Sequence, residues 1–101
     1  MKSHYSIVFH PLAEKEYLES VAWYEDNRTG LSLGFINEVE KVLDHIETNP
    51  FLFPIKKLQL REAPAKTFPY LIIYKINQKQ QQVTVLSVFH TKRNQKMKLK
   101  K

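Results

Sequence analysis

The first half of the chain places hydrophobic residues at helical spacing after one short apolar strand. Residues 5–9 (YSIVF) are mostly β-branched and aromatic and stop at His10-Pro11, which indicates a strand followed by a helix start. Apolar side chains then recur every three or four residues, predicting one helix over about 11–27 and a second that ends near residue 48, before Asn49-Pro50. The apolar stripes are Ala13, Tyr17, Val21 and Tyr24 on the first helix, and Phe35, Val39, Val42 and Ile46 on the second. A short turn between the helices makes them an antiparallel hairpin.

The second half of the chain changes to the period of two that is typical of strands. Alternation of Leu with Lys, Gln and Arg predicts a strand over 57–61, and Pro64 indicates a turn over 62–65. A long alternating segment predicts a strand over 68–76, with Phe68, Tyr70, Ile72, Tyr74 and Ile76 on one face. A polar stretch, 77–82, joins it as a hairpin to a last strand, 83–89.

These elements predict an α+β fold with the order β-α-α-β-β-β. The helical hairpin packs on one face of a small, mostly antiparallel sheet, and the other face stays partly open. The length of 101 residues suits one domain, which we expect to span 1–95. Residues 96–101 form a lysine-rich tail whose composition is compatible with disorder.

Charge is distributed unevenly along the chain. Residues 1–50 hold nine acidic and four basic side chains, a net charge of −5, whereas residues 51–101 hold one acidic and twelve basic ones, a net charge of +11. The overall charge of +6 hides this asymmetry. A segregated basic half favours an anionic partner, such as nucleic acid, an acidic protein segment or a membrane surface, over a charge that serves solubility alone.

Composition excludes several kinds of chemistry. With no cysteine and two glycines, the chain can build neither a thiol site nor a glycine-rich phosphate loop. The acidic residues have the spacing of solvated helix faces, which argues against a metal-dependent nuclease, and the serines lack a nucleophile-elbow context. We therefore expect no metal and no cofactor. The first residues read neither as a signal peptide nor as a membrane span, and a cysteine-free chain fits the cytoplasm.

Metal-free ribonuclease chemistry remains possible on the residue types present. It needs an acid, a base and cations around the phosphate, and His90 ends a predicted strand beside a basic run. The candidates are His90, Arg93, Lys92, Arg61 and Lys66. The alternative is that His90 has a structural role and that the cations bind carboxylates of a partner. The residues by themselves leave both open, while His4, His10 and His45 are interpreted as structural.

The aromatic residues have two possible roles, base stacking or core packing. Most belong to the alternating strands, which favours the core for Phe51, Phe53, Phe68, Tyr70, Tyr74 and Phe89. Trp23 falls beside the stripe of the first helix. We expect it to be half-exposed, packing against the second helix or anchoring a partner.

Four segments together resemble a known family. They are FHPLAEKEYLESVAWYED (9–26), TGLSLGFINEVEKVLDHIETNPFLFP (29–54), KTFPYLIIYKI (66–76) and VTVLSVFHTKRN (83–94). Their joint signature is Gly30-Leu31 with Gly34-Phe35, Asn49-Pro50 with Phe53-Pro54, Phe68-Pro69-Tyr70, and Phe89-His90 with Arg93. In this order, over about nine-tenths of the chain, they resemble the RelE/ParE superfamily of bacterial type II toxins, and its ParE-like branch more closely.

This resemblance implies partners and an activity. Such toxins are small, basic and cytoplasmic, and an antitoxin encoded by the adjacent gene wraps around them and neutralises them. Operator DNA would be contacted only through the antitoxin, and no membrane is involved. The ParE-like branch poisons DNA gyrase without being an enzyme, which is the first expectation here. The alternatives are a RelE-like endonuclease that cleaves mRNA on the ribosome, and an inactive basic binding module of the same fold.

The resemblance also carries over to particular residues. RelE-like catalysis uses Lys and Arg on the central strands with an Arg and a Tyr near the chain end. Lys57, Arg61 and Lys66 match the strand positions and Arg93 the late one, but no tyrosine follows Tyr74, which fits the ParE-like branch better. Under the endonuclease alternative the catalytic residues would be Arg61, His90 and Arg93. The residues expected to bind target or antitoxin are Lys57, Arg61, Lys66, Lys92, Arg93 and Trp23.

Overall fold

Two helices and five strands make up the chain over residues 5–92, the part that this computed structural model describes. The elements are β1 (Ser6–Phe9), α1 (Pro11–Asn27), α2 (Leu31–Thr48), β2 (Ile55–Lys57), β3 (Leu60–Pro64), β4 (Tyr70–Asn77) and β5 (Gln82–His90). The predicted lysine-rich tail, 96–101, and the end of the predicted domain lie outside the described residues.

The strands form one mixed sheet in the order β1-β5-β4-β3-β2. β1 pairs parallel to β5, and the other three pairs are antiparallel. The helical hairpin packs on this sheet, with α1 against β5 and against α2. The predicted α+β architecture is therefore confirmed, including a mostly antiparallel sheet.

The helix boundaries follow from local chemistry. His10 is the N-cap of α1, where its Nδ1 accepts a hydrogen bond from the backbone N–H of Leu12 at 3.1 Å. Gly30 opens α2 at φ +89°, a left-handed conformation that glycine adopts without steric cost. The Glu25 carboxylate accepts hydrogen bonds from the Ser32 hydroxyl and the Gly30 N–H, and these bonds lower the pKa of Glu25.

The apolar stripe of α2 is the centre of the core, as its spacing predicted. Phe35, Val39, Val42 and Ile46 are all buried, and they face Ile72, Tyr74, Val83 and Val85 of the sheet. Burial of a large apolar side chain stabilises a fold by about 1.5–3 kcal/mol. On α1, the buried stripe is Ala13, Ser20 and Tyr24, with Tyr17 and Val21 partly buried beside it.

One predicted strand is a hairpin instead. The alternation over 57–61 predicted a single strand, but the chain reverses at Leu58 and Gln59, between β2 and β3. Both turn residues have positive φ, 53° and 66°, so a tight turn is made without the glycine or asparagine that usually signals it. The predicted turn at 62–65 was also wrong, because Pro64 lies at the exposed end of β3, where its missing N–H is tolerated.

A bulge in β5 changes which side chains face the helices. Ile73 pairs with Ser87 but Tyr74 pairs with Val85, so Leu86 is an extra residue on β5. Before the bulge Val83 and Val85 face inward, and after it Val88 and His90 do. Unbroken alternation would have turned Phe89 inward and His90 outward.

Two of the acidic residues predicted on solvated helix faces bind the backbone instead. Glu16 accepts hydrogen bonds from the Ser87 hydroxyl at 2.8 Å and the Val88 N–H at 2.9 Å. β1 ends at Phe9, which pairs with Val85 of β5. Glu16 binds β5 just beyond this point, where β1 no longer covers it. Glu38 binds the loop before β4 in a similar way. Helical spacing alone does not distinguish such residues from solvated ones.

Candidate functional site

The predicted cations fall into two groups at opposite ends of the sheet. Lys66 precedes β4 and Lys92 follows β5, and these two segments meet where the Thr91 N–H and hydroxyl donate to the Pro69 carbonyl at 2.8 and 3.0 Å. Lys57 lies at the other end, where β2 turns into β3. All three lysines are exposed. Arg93 lies outside the described residues.

Arg61 is engaged with the chain itself. Its Nη1 donates a hydrogen bond to the Phe53 carbonyl at 2.6 Å and makes a longer contact, 3.5 Å, with the Phe51 carbonyl. The guanidinium carbon also lies 5.2 Å from the centroid of the Phe51 ring, within cation–π range. Arg61 therefore holds the segment between α2 and β2 against β3. This is a structural role rather than a catalytic one.

His90 lies under α1 rather than on an open surface. The residue is 3% exposed, and its ring contacts the Tyr24 ring at a tilt and the Trp23 ring edge-on, with centroid distances of 5.9 and 5.7 Å. The Lys92 N–H donates to Nδ1 at 3.2 Å, so that nitrogen carries no proton and the neutral ring holds its proton on Nε2. Nε2–H then donates to the Tyr24 hydroxyl oxygen at 3.0 Å. In this arrangement the imidazole is shielded from any substrate.

The two described members of the candidate catalytic set are far apart. Arg61 pairs across the sheet with Tyr74, whereas His90 pairs with Tyr70. Two strand spacings and four residues along β4 separate their Cα atoms by roughly 16 Å. The structure does not bring Arg61 and His90 to one phosphate.

Trp23 is half-exposed, as predicted, at 37%. Its indole meets the Tyr24 ring edge-on at 5.1 Å and the His90 ring at 5.7 Å. The ring contacts seen here thus connect it to the end of β5. A partly exposed aromatic ring at this place suits a partner contact.

A groove of about 950 Å³ runs between α2 and the loops on either side of the β2–β3 hairpin. Its apolar lining includes Val42, Leu52, Phe53 and Phe68, and Lys41, Asp44, His45 and Lys66 lie along it. Gly34 also lines the groove. A Cβ atom at this position would lie 3.4 Å from the Phe68 ring, so the glycine leaves the helix and the ring in close approach. Sequence reasoning missed this groove, since it forms from segments that are distant in the chain.

Two tyrosines of β4, Tyr70 and Tyr74, are buried in the core. Tyr74 donates to the Pro50 carbonyl at 2.7 Å, and burial raises its pKa to about 12, although Arg61 opposes the shift. Burial also raises the pKa of Tyr70, with a smaller contribution from Glu38. The Tyr70 hydroxyl has no hydrogen-bond partner within the described residues. Both phenols are therefore held neutral and act as structural groups.

The described part of the chain contains no set of three His, Asp or Glu side chains that could hold a metal ion. Neither α1 nor α2 combines the length and apolarity that a membrane span requires. The chemistry available over residues 5–92 is thus that of cations, aromatic rings and an apolar groove.

Comparison with known proteins identifies the family. A family model described as the ParE toxin of the type II toxin-antitoxin system parDE matches residues 7–95. No curated protein matches the chain. Among solved structures, the fold is similar to a chain of the chromosomal ParDE system from P. aeruginosa, with a TM-score of 0.73, 9% identity, and coverage of 85% of this chain and 95% of that one.

A second solved structure has the same fold at lower similarity. It is the toxin-antitoxin complex RelBE2 from Mycobacterium tuberculosis, with a TM-score of 0.60, 16% identity, and coverage of 87% of this chain and 92% of that one. At such identities the structures establish the shared fold, and the family model establishes membership. The chain belongs to the ParE toxin family of type II toxin–antitoxin systems, as its sequence motifs predicted.

Proposed function

We propose that this protein is a growth-inhibiting toxin that acts in the cytoplasm by poisoning DNA gyrase, without catalysing a reaction itself. The observation that carries the proposal is the separation of the candidate catalytic residues. His90 is buried against Tyr24, Arg61 binds the Phe53 carbonyl, and the Cα atoms of these two residues are roughly 16 Å apart. An endonuclease needs its acid, base and cations around one phosphate. A target-binding poison needs only an exposed surface.

The proposed target-binding residues are exposed side chains in two places. Lys66 and Lys92 lie where the segments before β4 and after β5 meet, Lys57 lies at the opposite end of the sheet, and Trp23 contacts the His90 ring at the end of β5. Exposed cations attract an anionic partner, and a partly exposed aromatic ring is a typical anchor for a protein. Residues 51–101 carry a net charge of +11, so the exposed lysines of this half attract an anionic target.

A purified gyrase assay tests the proposal directly. The protein is incubated with gyrase, ATP and supercoiled plasmid, and linear DNA is sought after detergent and protease treatment. We expect linear product that depends on both gyrase and this protein. No product, in a reaction where a known gyrase poison works, would overturn the proposal and lead to a test of mRNA cleavage on ribosomes.

Matched lysine variants locate the surface in the same assay. Lys66→Ala and Lys92→Ala should reduce the yield of linear DNA, since each removes an exposed cation from the proposed surface. Lys79→Ala, in the β4–β5 turn, removes the same charge from a different place and should leave the yield unchanged. Equal effects of all three would mean that only net charge matters.

The second part of the proposal is neutralisation by a cognate antitoxin from the adjacent gene. The groove beside α2 offers apolar side chains, and Lys41, Lys66 and Asp44 lie along it with Glu38, whose carboxylate is bound by three N–H groups. Two cations beside one further carboxylate suit an amphipathic segment that is acidic in part. Expression without the antitoxin should stop growth, and co-expression should restore it. Unimpaired growth with a folded protein would instead support an inactive module of the same fold.

A further inference from the structure

One carboxylate in the middle of α2 binds three successive backbone N–H groups. Glu38 Oε2 accepts from Lys66 at 2.9 Å and from Thr67 at 2.7 Å, and Oε1 accepts from Phe68 at 3.0 Å. Consecutive N–H groups that point to one spot form a concave site for an anion, and here the anion is a side chain of the chain itself. Hydrogen bonds to an ionised acceptor are the strong ones in proteins.

These bonds fix one wall of the groove. The 66–68 segment supplies Lys66, Thr67 and Phe68 to the groove lining, and α2 supplies Gly34, Val42 and His45 opposite. The Phe68 ring packs on Phe35 at 5.6 Å and on Tyr24 at 5.0 Å. Glu38 thus ties a surface loop to the helix that it faces, at a sequence separation of 28–30 residues.

These bonds matter for binding because a partner loses less conformational entropy when the wall it contacts is already ordered. Fixing a backbone costs conformational entropy, and a ligand that must order a loop loses affinity for that reason. Glu38 holds three residues of the loop in advance, so a groove ligand is spared this ordering cost. The effect acts through the loop, although Glu38 also lines the groove.

We infer that Glu38 is a positioning residue, which preorganises the 66–68 wall of the groove for the acidic amphipathic segment of the antitoxin. The inference rests on the proposed neutralisation, and it names the residue that prepares the groove. Glu38 acts through the backbone of Lys66, Thr67 and Phe68, and those residues make the contact. Removing an acidic charge would by itself strengthen attraction to an acidic partner. Because Glu38 also lines the groove, a weaker complex indicates lost order only when amide exchange at 66–68 is faster in the same variant.

Two variants with the same charge change test this inference. Glu38→Ala removes the tie, and Glu40→Ala removes an exposed carboxylate two residues away on the same helix. We expect amide hydrogen exchange at 66–68 to accelerate at least about tenfold in Glu38→Ala only, since three bonds to a carboxylate are lost. The Kd for the cognate antitoxin should rise at least about tenfold in the same variant, because the antitoxin would then have to order the loop as it binds.

Glu38→Gln extends the test and guards against misfolding. It keeps an oxygen acceptor and the side-chain length, so exchange and Kd should fall between wild type and Glu38→Ala. If Glu38→Ala does not fold, the same comparison is made between Glu38→Gln and Glu40→Gln. Equal affinities of the Glu38 and Glu40 variants, or unchanged exchange at 66–68, would overturn the inference. Failure of the wild-type protein to bind the antitoxin would overturn the proposed neutralisation instead, and the exchange result would still decide the role of Glu38 in the loop.

Discussion

Two regions of this molecule are held together by different interactions. The packed region is the ring cluster around Phe35, which contacts Tyr17, Tyr24, Phe68 and Tyr70 at centroid distances of 4.8–5.8 Å. The clasped region comprises residues 49–68, whose backbone is held by polar side chains. Arg61 and Tyr74 bind the carbonyls of Phe53 and Pro50, and Glu38 binds N–H groups at the other end. The first region is interior, and the second borders the groove.

The difference explains how a small domain can offer a groove without losing its fold. Packed rings are stable because their apolar area is removed from water, so little of that area is left for a partner. Phe68 is a ring of this cluster that also borders the groove. Polar clasps order a backbone while its apolar side chains stay accessible, and Leu52, at 56% exposure, is one of these. Three side chains that sequence analysis assigned to catalysis or to a solvated face, Arg61, Glu38 and Glu16, turn out to be clasps of this kind.

The largest expected effect comes from breaking the packed region. Phe35→Ala should lower the free energy of unfolding by about 3–5 kcal/mol, because it leaves a cavity among four aromatic rings. The control is Phe51→Ala in the clasped region, where a ring that is 44% exposed should cost less than about 1 kcal/mol. Urea denaturation followed by circular dichroism measures both. Similar losses for the two variants would mean that the regions are not distinct.

Arg61→Ala tests the clasp beside β2. It should lower the free energy of unfolding by about 1.5–3 kcal/mol, because a charged donor to the Phe53 carbonyl is removed. Lys57→Ala removes an exposed cation nearby and should change stability by less than about 0.5 kcal/mol. Thermal unfolding of the two variants makes the comparison. If the Arg61→Ala protein is as stable as wild type, Arg61 does not hold the fold together and its charge is free to bind a ligand.

Tyr74→Phe should give a smaller, pH-dependent effect. At neutral pH we expect a loss of about 1 kcal/mol, since the hydrogen bond to the Pro50 carbonyl disappears. The pKa of Tyr74 is raised to about 12 in the folded chain, from about 10 in the unfolded one. The stabilising neutral phenol is fully present below pH 10 and is lost as the pH rises through 12.

The difference between wild type and Tyr74→Phe should therefore narrow from pH 10 to pH 12. Urea midpoints measured across that range provide the test. A gap that does not narrow would show that Tyr74 is not held neutral by burial.

The smallest expected effect is stabilising. Leu58→Asn with Gln59→Gly should raise the free energy of unfolding by about 1 kcal/mol, because these residues favour the positive φ of both turn positions. Leu58 is 79% exposed, so little packing is lost. Gln80→Gly, in the β4–β5 turn at a position without positive φ, should not stabilise. Urea unfolding is sensitive enough to separate the two.

The sequence allowed prediction of those features that depend on local periodicity. The α2 stripe from Phe35 to Ile46 was predicted correctly, because a spacing of three and four residues has one helical interpretation. The inward face of β4 and the half-exposed Trp23 were predicted for the same reason. His90 was correctly placed at a strand end, but its burial was missed, because one extra residue at Leu86 shifts the inward face by one position.

By itself, the sequence determined the order of helices and long strands, the acidic and basic halves, and the motifs that identify the toxin family. Only the tertiary structure decided which charged side chains are free. Whether Glu38 faces water or three N–H groups depends on the position of the 66–68 loop, almost thirty residues later in the chain. Arg61 likewise found its partner in the carbonyl of Phe53 once β3 had paired. Such partners are chosen by long-range packing, and no local pattern of charge or hydrophobicity carries that information.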